Sequence, residues 1–152
     1  MKLHVPIKLR WSDLDAYGHV NNAAMLTLLE ESRISVFWHG EFNVDGVADT
    51  AAAGADTLTL IGRQEVEYLA PIPYGRDPLD VQLWIGRMGG ASLDVCYEVC
   101  SPQGTEPQTV YAKAASGIVL VDAATMRPRR MTDREREIWA PYVEAPVEFA
   151  RR

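Results

Sequence analysis

The segment from Ala23 to His39 contains neither proline nor glycine, which makes a long α-helix the strongest local prediction for this sequence. Asn21 and Asn22 stand immediately before it as favourable N-cap residues, and Gly40 follows where a helix can end. The first half of the segment is apolar almost all round. This composition predicts a helix buried deeply against a sheet rather than one lying on the surface.

Alternating apolar and polar residues predict β-strands on both sides of this helix. One strand is expected before it, at residues 3–11, with Trp11 on the apolar face and in the core. Four more are expected after it, at residues 58–69, 79–87, 92–100 and 109–121. The connections between these four have the short turn chemistry of hairpins, which favours an antiparallel sheet; they lie at residues 71–76, 88–91 and 102–104.

The remaining segments predict a connection and one terminal helix. Residues 41–57 are rich in Ala, Gly and Asp and carry too few large apolar groups to build a core, so they are expected to connect elements. Thr132 and Glu135 match a capping box and predict a short helix over residues 132–142. With 152 residues, the chain is expected to form one domain, residues 1–152, of the α+β class.

Composition and charge argue against several classes of function. Fifteen Lys and Arg against 21 Asp and Glu give a net charge of −6, so nucleic acid is not an expected partner. No run approaches the ~20 apolar residues of a membrane helix, and a secretory signal pattern is absent, which predicts a cytoplasmic protein without membrane partners. Cys96 and Cys100 would lie ~13 Å apart on one strand, so both are expected to be free thiols.

One group of polar residues has the composition of a reactive site. Asp13, Asp15, Tyr17 and His19 stand immediately before the long helix, whose N-terminal amides are free to donate. An amide near Asn22 could stabilise a carbonyl oxygen that becomes negative during acyl transfer, and an upstream carboxylate could attack that carbonyl or deprotonate a water. The alternative is that the aspartates cap turns and helix ends, as most such residues do.

Other familiar signatures of catalysis are absent from the sequence. It contains no Gly-x-Ser-x-Gly nucleophile turn, no phosphate-binding Gly-x-x-x-x-Gly-Lys and no paired-histidine spacing for a metal. The glycine-rich run from Gly86 to Gly90 joins two strands of antiparallel type, so a hairpin turn is expected there rather than a dinucleotide loop. No metal and no redox cofactor are therefore expected.

Two stretches of the sequence resemble a known family. The run from Arg10 to Asn22, which ends in His-Val-Asn-Asn, and the run from Leu28 to Arg33 resemble the 4-hydroxybenzoyl-CoA thioesterase family of hotdog-fold acyl-CoA thioesterases. The resemblance is strongest to the long-chain acyl-CoA thioesterase branch, and the first run is also similar to plant acyl-carrier-protein thioesterases. Shorter matches at residues 67–71, 86–93 and 119–122 extend the resemblance to roughly residues 8–131.

The resemblance implies a hotdog fold, in which a long central helix is wrapped by a five-stranded antiparallel sheet and a short C-terminal helix follows. It also implies a homodimer, often a dimer of dimers, with the substrate in a cleft between two copies. Glu31 and Arg33 recur in the helix pattern of the family. Because they are two residues apart, they point to different faces and are expected to serve packing or contacts between subunits.

The resemblance also assigns the catalytic residues. The acidic catalytic residue of the family falls on Asp15, and the helix amide that stabilises the oxyanion falls on Asn22 or its neighbour Ala23. His19 matches a functional histidine of plant-type relatives, and it is expected either to take part in catalysis or to orient the loop. Tyr17 stands where those relatives carry a catalytic asparagine, and it is expected to line the substrate pocket.

The resemblance also bears on how the coenzyme A portion of the substrate is bound. Aromatic-substrate relatives carry a basic cluster just before the strand that corresponds to Ser92, and that cluster grips the phosphates of coenzyme A. Here the equivalent run is Gly89-Gly90-Ala91, so that clamp is absent. Arg87 is a candidate for holding the nucleotide end, and Ser92 is assigned to substrate binding. Asp13 is expected to stabilise the loop.

These assignments predict an acyl-CoA thioesterase that hydrolyses an acyl-CoA to a free carboxylic acid and coenzyme A, which enters only as part of the substrate. Two alternatives stay open. One is an acyl-carrier-protein thioesterase of lipid or polyketide biosynthesis, with the carrier protein as partner. The other is a hotdog protein that binds acyl-CoA without hydrolysing it, although a carboxylate beside the carbonyl favours hydrolysis.

Overall fold

The computed structural model describes residues 1–44 and 56–150. In chain order the elements are β1 (Leu3–Ile7), a 3-10 turn (Trp11–Asp13), α1 (Asn22–Trp38), β2 (Thr57–Tyr68), β3 (Leu79–Met88), β4 (Ser92–Cys100), β5 (Val110–Asp122), α2 (Asp133–Trp139) and a second 3-10 turn (Ala140–Tyr142). The strands of the described residues form one antiparallel sheet in the order β1-β3-β4-β5-β2. The predicted α+β class, with a long helix, a five-stranded antiparallel sheet and a short C-terminal helix, is confirmed.

The core lies between α1 and one face of the sheet. The helix contributes a buried apolar stripe at helical spacing, made of Met25, Leu28, Leu29, Val36 and Phe37. The strands contribute alternate residues to the same cluster, among them Val81, Leu83, Leu93, Val95, Ile118 and Leu120. Because each fully buried side chain of this size stabilises the fold by ~1.5–3 kcal/mol, this cluster fixes the position of α1 on the sheet.

The first half of α1 packs against the sheet as predicted, but in the single chain it is not buried as deeply as its composition predicts. Leu26 is 38% exposed and Thr27 is exposed as well. The physical reason is that one sheet covers only one side of a helix. Two apolar side chains of the edge strand β2, Leu60 and Ile61, are exposed to a similar degree.

The first strand is shorter than its alternating pattern predicts. β1 ends at Ile7, because the backbone N–H of Arg10 donates to the Asp13 carboxylate at 2.8 Å and the chain turns there instead of continuing along the sheet. Trp11, expected in the core, is 75% exposed. Its ring stacks on that of Tyr74, with the ring centroids 5.1 Å apart and the planes inclined by 16°.

Two of the three expected hairpins form in the described residues. β3 joins β4 through a turn closed by the Gly89 N–H, which donates to the Ser92 carbonyl at 2.7 Å, and β4 is followed by β5 as its neighbour. The connection from β2 to β3 is not a hairpin, because β2 pairs with β5 at one edge while β3 lies between β1 and β4. This connection instead contacts the loop before α1, where Val20 donates to the Ile72 carbonyl at 3.0 Å.

The predicted capping box starts the terminal helix. The Glu135 N–H donates to the Thr132 hydroxyl at 3.1 Å, and the Thr132 N–H donates to the Glu135 carboxylate at 2.7 Å. The helix ends in Trp139, which is fully buried and whose indole N–H donates to the Phe42 carbonyl at 3.0 Å. α2 thereby closes one end of the core.

Four further predictions concern the cysteines, the polar residues of α1, the connection after it and membrane helices. Cys96 and Cys100 are free thiols, as predicted, and both are buried. Glu31 is exposed and Arg33 is buried, which confirms that they occupy different faces of α1. The connection expected at residues 41–57 lies mostly outside the described residues. No helix among the described residues is long and apolar enough to cross a membrane.

Candidate active site

The loop before α1 is a tightly hydrogen-bonded hairpin of its own. Leu14 and Val20 face each other in an antiparallel bridge, and the Asp15 N–H donates to the His19 carbonyl at 2.8 Å. The Gly18 N–H returns to the Asp15 carbonyl at 3.2 Å, and Gly18 adopts a φ of 78°, in the left-handed region that glycine occupies without strain. The loop therefore holds Asp15 at a defined point beside the helix.

Asp13 secures the base of this loop. It is 1% exposed, and its carboxylate accepts the Arg10 backbone N–H at 2.8 Å and the Arg10 guanidinium at 3.0 Å. The backbone carbonyl of Asp13 also accepts the Asn21 N–H at 2.7 Å. These contacts confirm the prediction that Asp13 stabilises the loop, and they leave its carboxylate no access to a substrate.

Asp15 has the opposite environment. Its Oδ1 atom accepts the backbone N–H groups of Tyr17 at 2.8 Å and His19 at 3.2 Å. Its Oδ2 atom accepts no hydrogen bond from the described residues, and the side chain is only half-buried. One oxygen thus fixes the orientation of the carboxylate while the other remains available to react.

The first turn of α1 leaves a single amide open beside this carboxylate. The side chain of the N-cap, Asn21, accepts the N–H groups of Ala23 at 2.8 Å and Ala24 at 3.1 Å, and its carbonyl accepts the N–H of Met25. Among the described residues, the N–H of Asn22 has no acceptor. Of the two amides that the resemblance offered, the one at Ala23 is engaged and the one at Asn22 is free.

These groups line one cleft of about 680 Å³. Its walls include four of the expected site residues, which are Asp15, Tyr17, His19 and Asn22. The opposite wall comes from the end of β2 and the connection that follows it, residues 68–72. Tyr17 is 85% exposed at the mouth, whereas Ala23 does not line the cleft.

Tyr68 belongs to this cleft, although its role was not predicted. Its hydroxyl donates to the Asn22 carbonyl at 2.6 Å, across 46 residues of sequence. Partial burial raises the pKa of Tyr68 above its usual 10.0, so the hydroxyl keeps the proton that it donates. The only signal in the sequence was that Tyr68 lies within one of the shorter matches to the family, which gave no role for its hydroxyl.

Arg87 and Ser92 lie elsewhere on the chain. Arg87 is an exposed residue of β3, with its guanidinium Nε 3.6 Å from the Asp94 carboxylate. Ser92 starts β4 and closes the hairpin turn with its backbone carbonyl. Neither residue lines the Asp15 cleft within a single chain. Among the described residues, no cluster of three or more His, Cys, Asp or Glu side chains is arranged to hold a metal ion.

The fold and this cleft agree with a comparison against known families. Residues 9–148 match the thioesterase-like superfamily, a range that covers the loop before α1, α1 itself and strands β2 to β5. The chain belongs to this superfamily. The match includes Asp15 and Asn22, so the cleft lies inside the part of the chain that defines thioesterase-like proteins.

Proteins named as thioesterases or thioester hydrolases resemble the chain over most of its length. Acyl-CoA thioester hydrolase YbgC of Escherichia coli O6:H1 is 26% identical over 126 residues, which are 83% of this chain and 87% of that protein. A predicted thioesterase from Bacillus stearothermophilus has a TM-score of 0.78 at 28% identity, covering 97% of this chain and 100% of that one. A Thermus thermophilus thioesterase solved with coenzyme A and zinc has a TM-score of 0.69 at 28% identity, covering 93% and 92%. The hotdog fold implied by the resemblance is thereby confirmed.

Proposed function

We propose that this thioesterase-like protein hydrolyses acyl-CoA thioesters to a free carboxylic acid and coenzyme A, with Asp15 and the Asn22 amide as its catalytic groups. One observation carries the proposal. An oriented carboxylate with a free oxygen and a helix N–H without an acceptor among the described residues line the same cleft. The relatives named acyl-CoA thioester hydrolase and thioesterase support the same reaction.

The Asn22 amide serves as the oxyanion donor. It lies at the start of a 17-residue helix, where the unpaired N–H groups and the helix dipole favour negative charge. The thioester carbonyl oxygen becomes negative when its carbon is attacked, so a donor already aimed at that oxygen stabilises the transition state more than the ground state. The Tyr68 hydroxyl holds this first turn in place from β2.

Asp15 brings about the attack on the acyl carbon by one of two routes. As a general base, its carboxylate takes a proton from a water, the water oxygen bonds to the acyl carbon, the C–S bond breaks and the thiolate leaves as coenzyme A. As a nucleophile, Asp15 bonds to the acyl carbon and displaces the thiolate, and water then hydrolyses the mixed anhydride. Both routes place Asp15 against the same carbonyl carbon, and neither requires a metal or a redox cofactor.

The other residues of the cleft bind and orient the substrate in this proposal. His19 lines the cleft and either exchanges protons with the leaving group or orients the loop, while Tyr17 covers the mouth. Ala23 contributes by holding the N-cap, since its N–H donates to the Asn21 side chain. Arg87 and Ser92 bind the coenzyme A portion only if a second copy brings them to the cleft.

A homodimer, or a dimer of dimers, completes the proposal. β2 is an edge strand that pairs only with β5 among the described strands, and an unpaired edge of this length favours pairing with another chain. Leu60 and Ile61 on that strand have exposed apolar side chains, and so does Leu26 on α1. Leu60→Lys is therefore expected to lower the solution mass to the 16.9 kDa of one chain, measured by light scattering, and to lower activity with it. The dimer is proposed to act in the cytoplasm.

The decisive experiment measures thiol release from short, medium, long and aromatic acyl-CoAs by the wild type and by Asp15→Asn. The amide oxygen of the substituted side chain still accepts the Tyr17 and His19 N–H groups, so the loop keeps its conformation while the charge is lost. Turnover is expected to fall by about 10²–10⁴-fold. Full activity of the folded variant would remove Asp15 from the mechanism.

Two further arms of the assay separate the alternatives. Turnover of one acyl group on coenzyme A and on acyl carrier protein is compared, and a clear preference for the carrier protein would favour the biosynthetic alternative. Binding of acyl-CoA without any thiol release would identify a non-hydrolytic binding protein.

A further inference from the structure

Arg33 is a buried cation without an ion-pair partner among the described residues. Its side chain leaves the middle of α1 and is 7% exposed. The guanidinium Nη1 donates to the Tyr97 hydroxyl at 3.1 Å, to Ser116 Oγ at 3.3 Å and, more weakly, to Gln64 Oε1 at 3.5 Å. All three acceptors are neutral groups, so the positive charge is hydrogen-bonded but not compensated.

The hydrogen-bonded network of Tyr97, Ser116 and Gln64 carries no negative charge, and Glu30, which lines the same cavity as Arg33, forms no ion pair with it. The Tyr97 hydroxyl donates to Ser116 at 3.0 Å, and the Ser116 hydroxyl donates to Gln64 at 3.0 Å. Burial raises the pKa of Tyr97 above 10.0, and the Arg33 charge offsets only part of that effect, so the phenol stays neutral near pH 7. The ion pairs of the described residues all involve other groups.

Arg33 also lines a cavity. Nε and Nη2 of Arg33 have no hydrogen-bond partner among the described residues. Because every fully buried side-chain nitrogen and oxygen of these residues has one, the two atoms are not fully buried. The cavity has a volume of about 160 Å³. Its walls combine apolar side chains, among them Ile34, Phe37 and Ile61, with the polar residues Glu30 and Thr59. At ~30 Å³ for each water, it has room for a small polar group with a few methylenes.

This cavity lies on the same stripe of α1 as the Asp15 cleft. Asn22, Leu26 and Arg33 are separated by four and seven residues, which places them on one face of a helix. The strand β2 accompanies the stripe, since Tyr68 contacts Asn22 at one end and Gln64 contacts Arg33 further along. Eleven residues at ~1.5 Å each separate Asn22 from Arg33 by ~16 Å along the helix.

We propose that the Arg33 cavity binds the terminal carboxylate of an acyl group whose thioester lies at Asp15 and Asn22. This inference rests on the proposed thioesterase function and names its substrate class, the coenzyme A half-thioesters of α,ω-dicarboxylic acids. The planar guanidinium matches a carboxylate, and the apolar side chains of the walls accept the last methylenes. An extended chain that advances ~3.8 Å for every three bonds spans ~16 Å in about thirteen bonds, which corresponds to an acyl group of about fourteen carbons.

The test compares two thioesters of equal length on the full chain, tetradecanoyl-CoA and the coenzyme A half-thioester of tetradecanedioic acid. The wild type is expected to prefer the half-thioester by about tenfold or more in kcat/KM, because a charge-assisted pair forms at the far end. Arg33→Met is expected to bring that ratio to about one. Glu30→Gln, which removes a carboxylate from the wall of the same cavity, is expected to raise the ratio.

Two control variants keep the test decisive if Arg33→Met does not fold. Ile34→Trp fills the cavity from a half-buried position while Arg33 remains, and it is expected to abolish the preference equally. Arg134→Met removes an exposed arginine of α2 and is expected to leave the preference as it is. Equal rates on both thioesters in the wild type, or a preference that survives Ile34→Trp, would overturn this inference and leave the thioesterase function standing. Hydrolysis of neither thioester would also overturn this inference, whereas the proposed function is overturned only if the short, medium, long and aromatic acyl-CoAs all release no thiol.

Discussion

The hydroxyl of Tyr68 donates a 2.6 Å hydrogen bond to the backbone carbonyl of Asn22, which joins the end of the edge strand β2 to the first turn of α1. The peptide N–H of the same residue, Asn22, is the one helix donor of the cleft without an acceptor among the described residues. Tyr68 therefore fixes the position of the residue on which the proposed oxyanion stabilisation depends. It acts as a positioning residue rather than as a catalytic one.

Tyr68→Phe tests this relationship. The ring stays in the wall of the cleft, so substrate binding and KM are expected to change little. The lost hydrogen bond lets the first turn move, and kcat is expected to fall by about three- to tenfold, in line with ~1 kcal/mol for one hydrogen bond. Steady-state thiol release gives both constants. A rise in KM at constant kcat would instead assign Tyr68 to substrate binding.

The two aspartates of the loop are expected to differ in what their substitution changes. Asp13→Asn removes the charge from a buried carboxylate that accepts the Arg10 N–H and guanidinium, so it should lower the free energy of unfolding by ~1.5–3 kcal/mol. Asp15→Asn should leave the free energy of unfolding within ~0.5 kcal/mol of the wild type while greatly reducing turnover. Urea denaturation of both variants measures the difference. Equal destabilisation would contradict the separate roles given to Asp13 and Asp15.

At position 18, we expect the backbone conformation, and not steric contact, to decide which residues are tolerated. A Cβ at this position would meet no atom within 4 Å, but the φ of 78° is strained for any other L-residue. Gly18→Ala should therefore cost ~1–2 kcal/mol of unfolding free energy and loosen the turn that orients Asp15. Gly18→Asn is the matched control, because asparagine tolerates this region, and it should cost less. Thermal unfolding ranks the two variants, and the reverse order would refute the backbone explanation.

Glu135 is expected to make the stability of the chain depend on pH. Burial opposes its ionisation, but hydrogen bonds from the Arg129 guanidinium and the Thr132 N–H outweigh this effect and hold the pKa of Glu135 below its usual 4.5. The stabilisation is therefore complete above pH 4.5 and is lost as the pH falls through the lower pKa of the folded state. Glu135→Gln should lower the unfolding free energy by ~2 kcal/mol near neutral pH. In urea titrations, the difference in unfolding free energy between the wild type and the variant should shrink as the pH falls below 4.5. A difference that grows in acid would contradict this prediction.

Local patterns predicted most of the elements because their causes are local. The absence of Pro and Gly after Asn22 gave the long helix within one residue at either end, and the Thr132–Glu135 capping box gave the terminal helix. Alternation gave β2 to β5 with ends within one residue. It failed at β1, because the Asp13 carboxylate, and not a neighbouring strand, takes the Arg10 N–H.

The sequence by itself determined where the reactive groups stand relative to α1, since Asp15, His19 and Asn22 belong to one continuous segment and a loop of that length must return to the helix start. Only the tertiary structure decided which of these groups are free. The Asn21 side chain accepts the N–H of Ala23 and leaves that of Asn22 free, and Tyr68 contacts the same turn from 46 residues away. Arg33 on α1 contacts Tyr97 on β4 and Ser116 on β5. Such contacts depend on how the helix is seated on the sheet, and that packing is set by many buried side chains at once rather than by any local pattern.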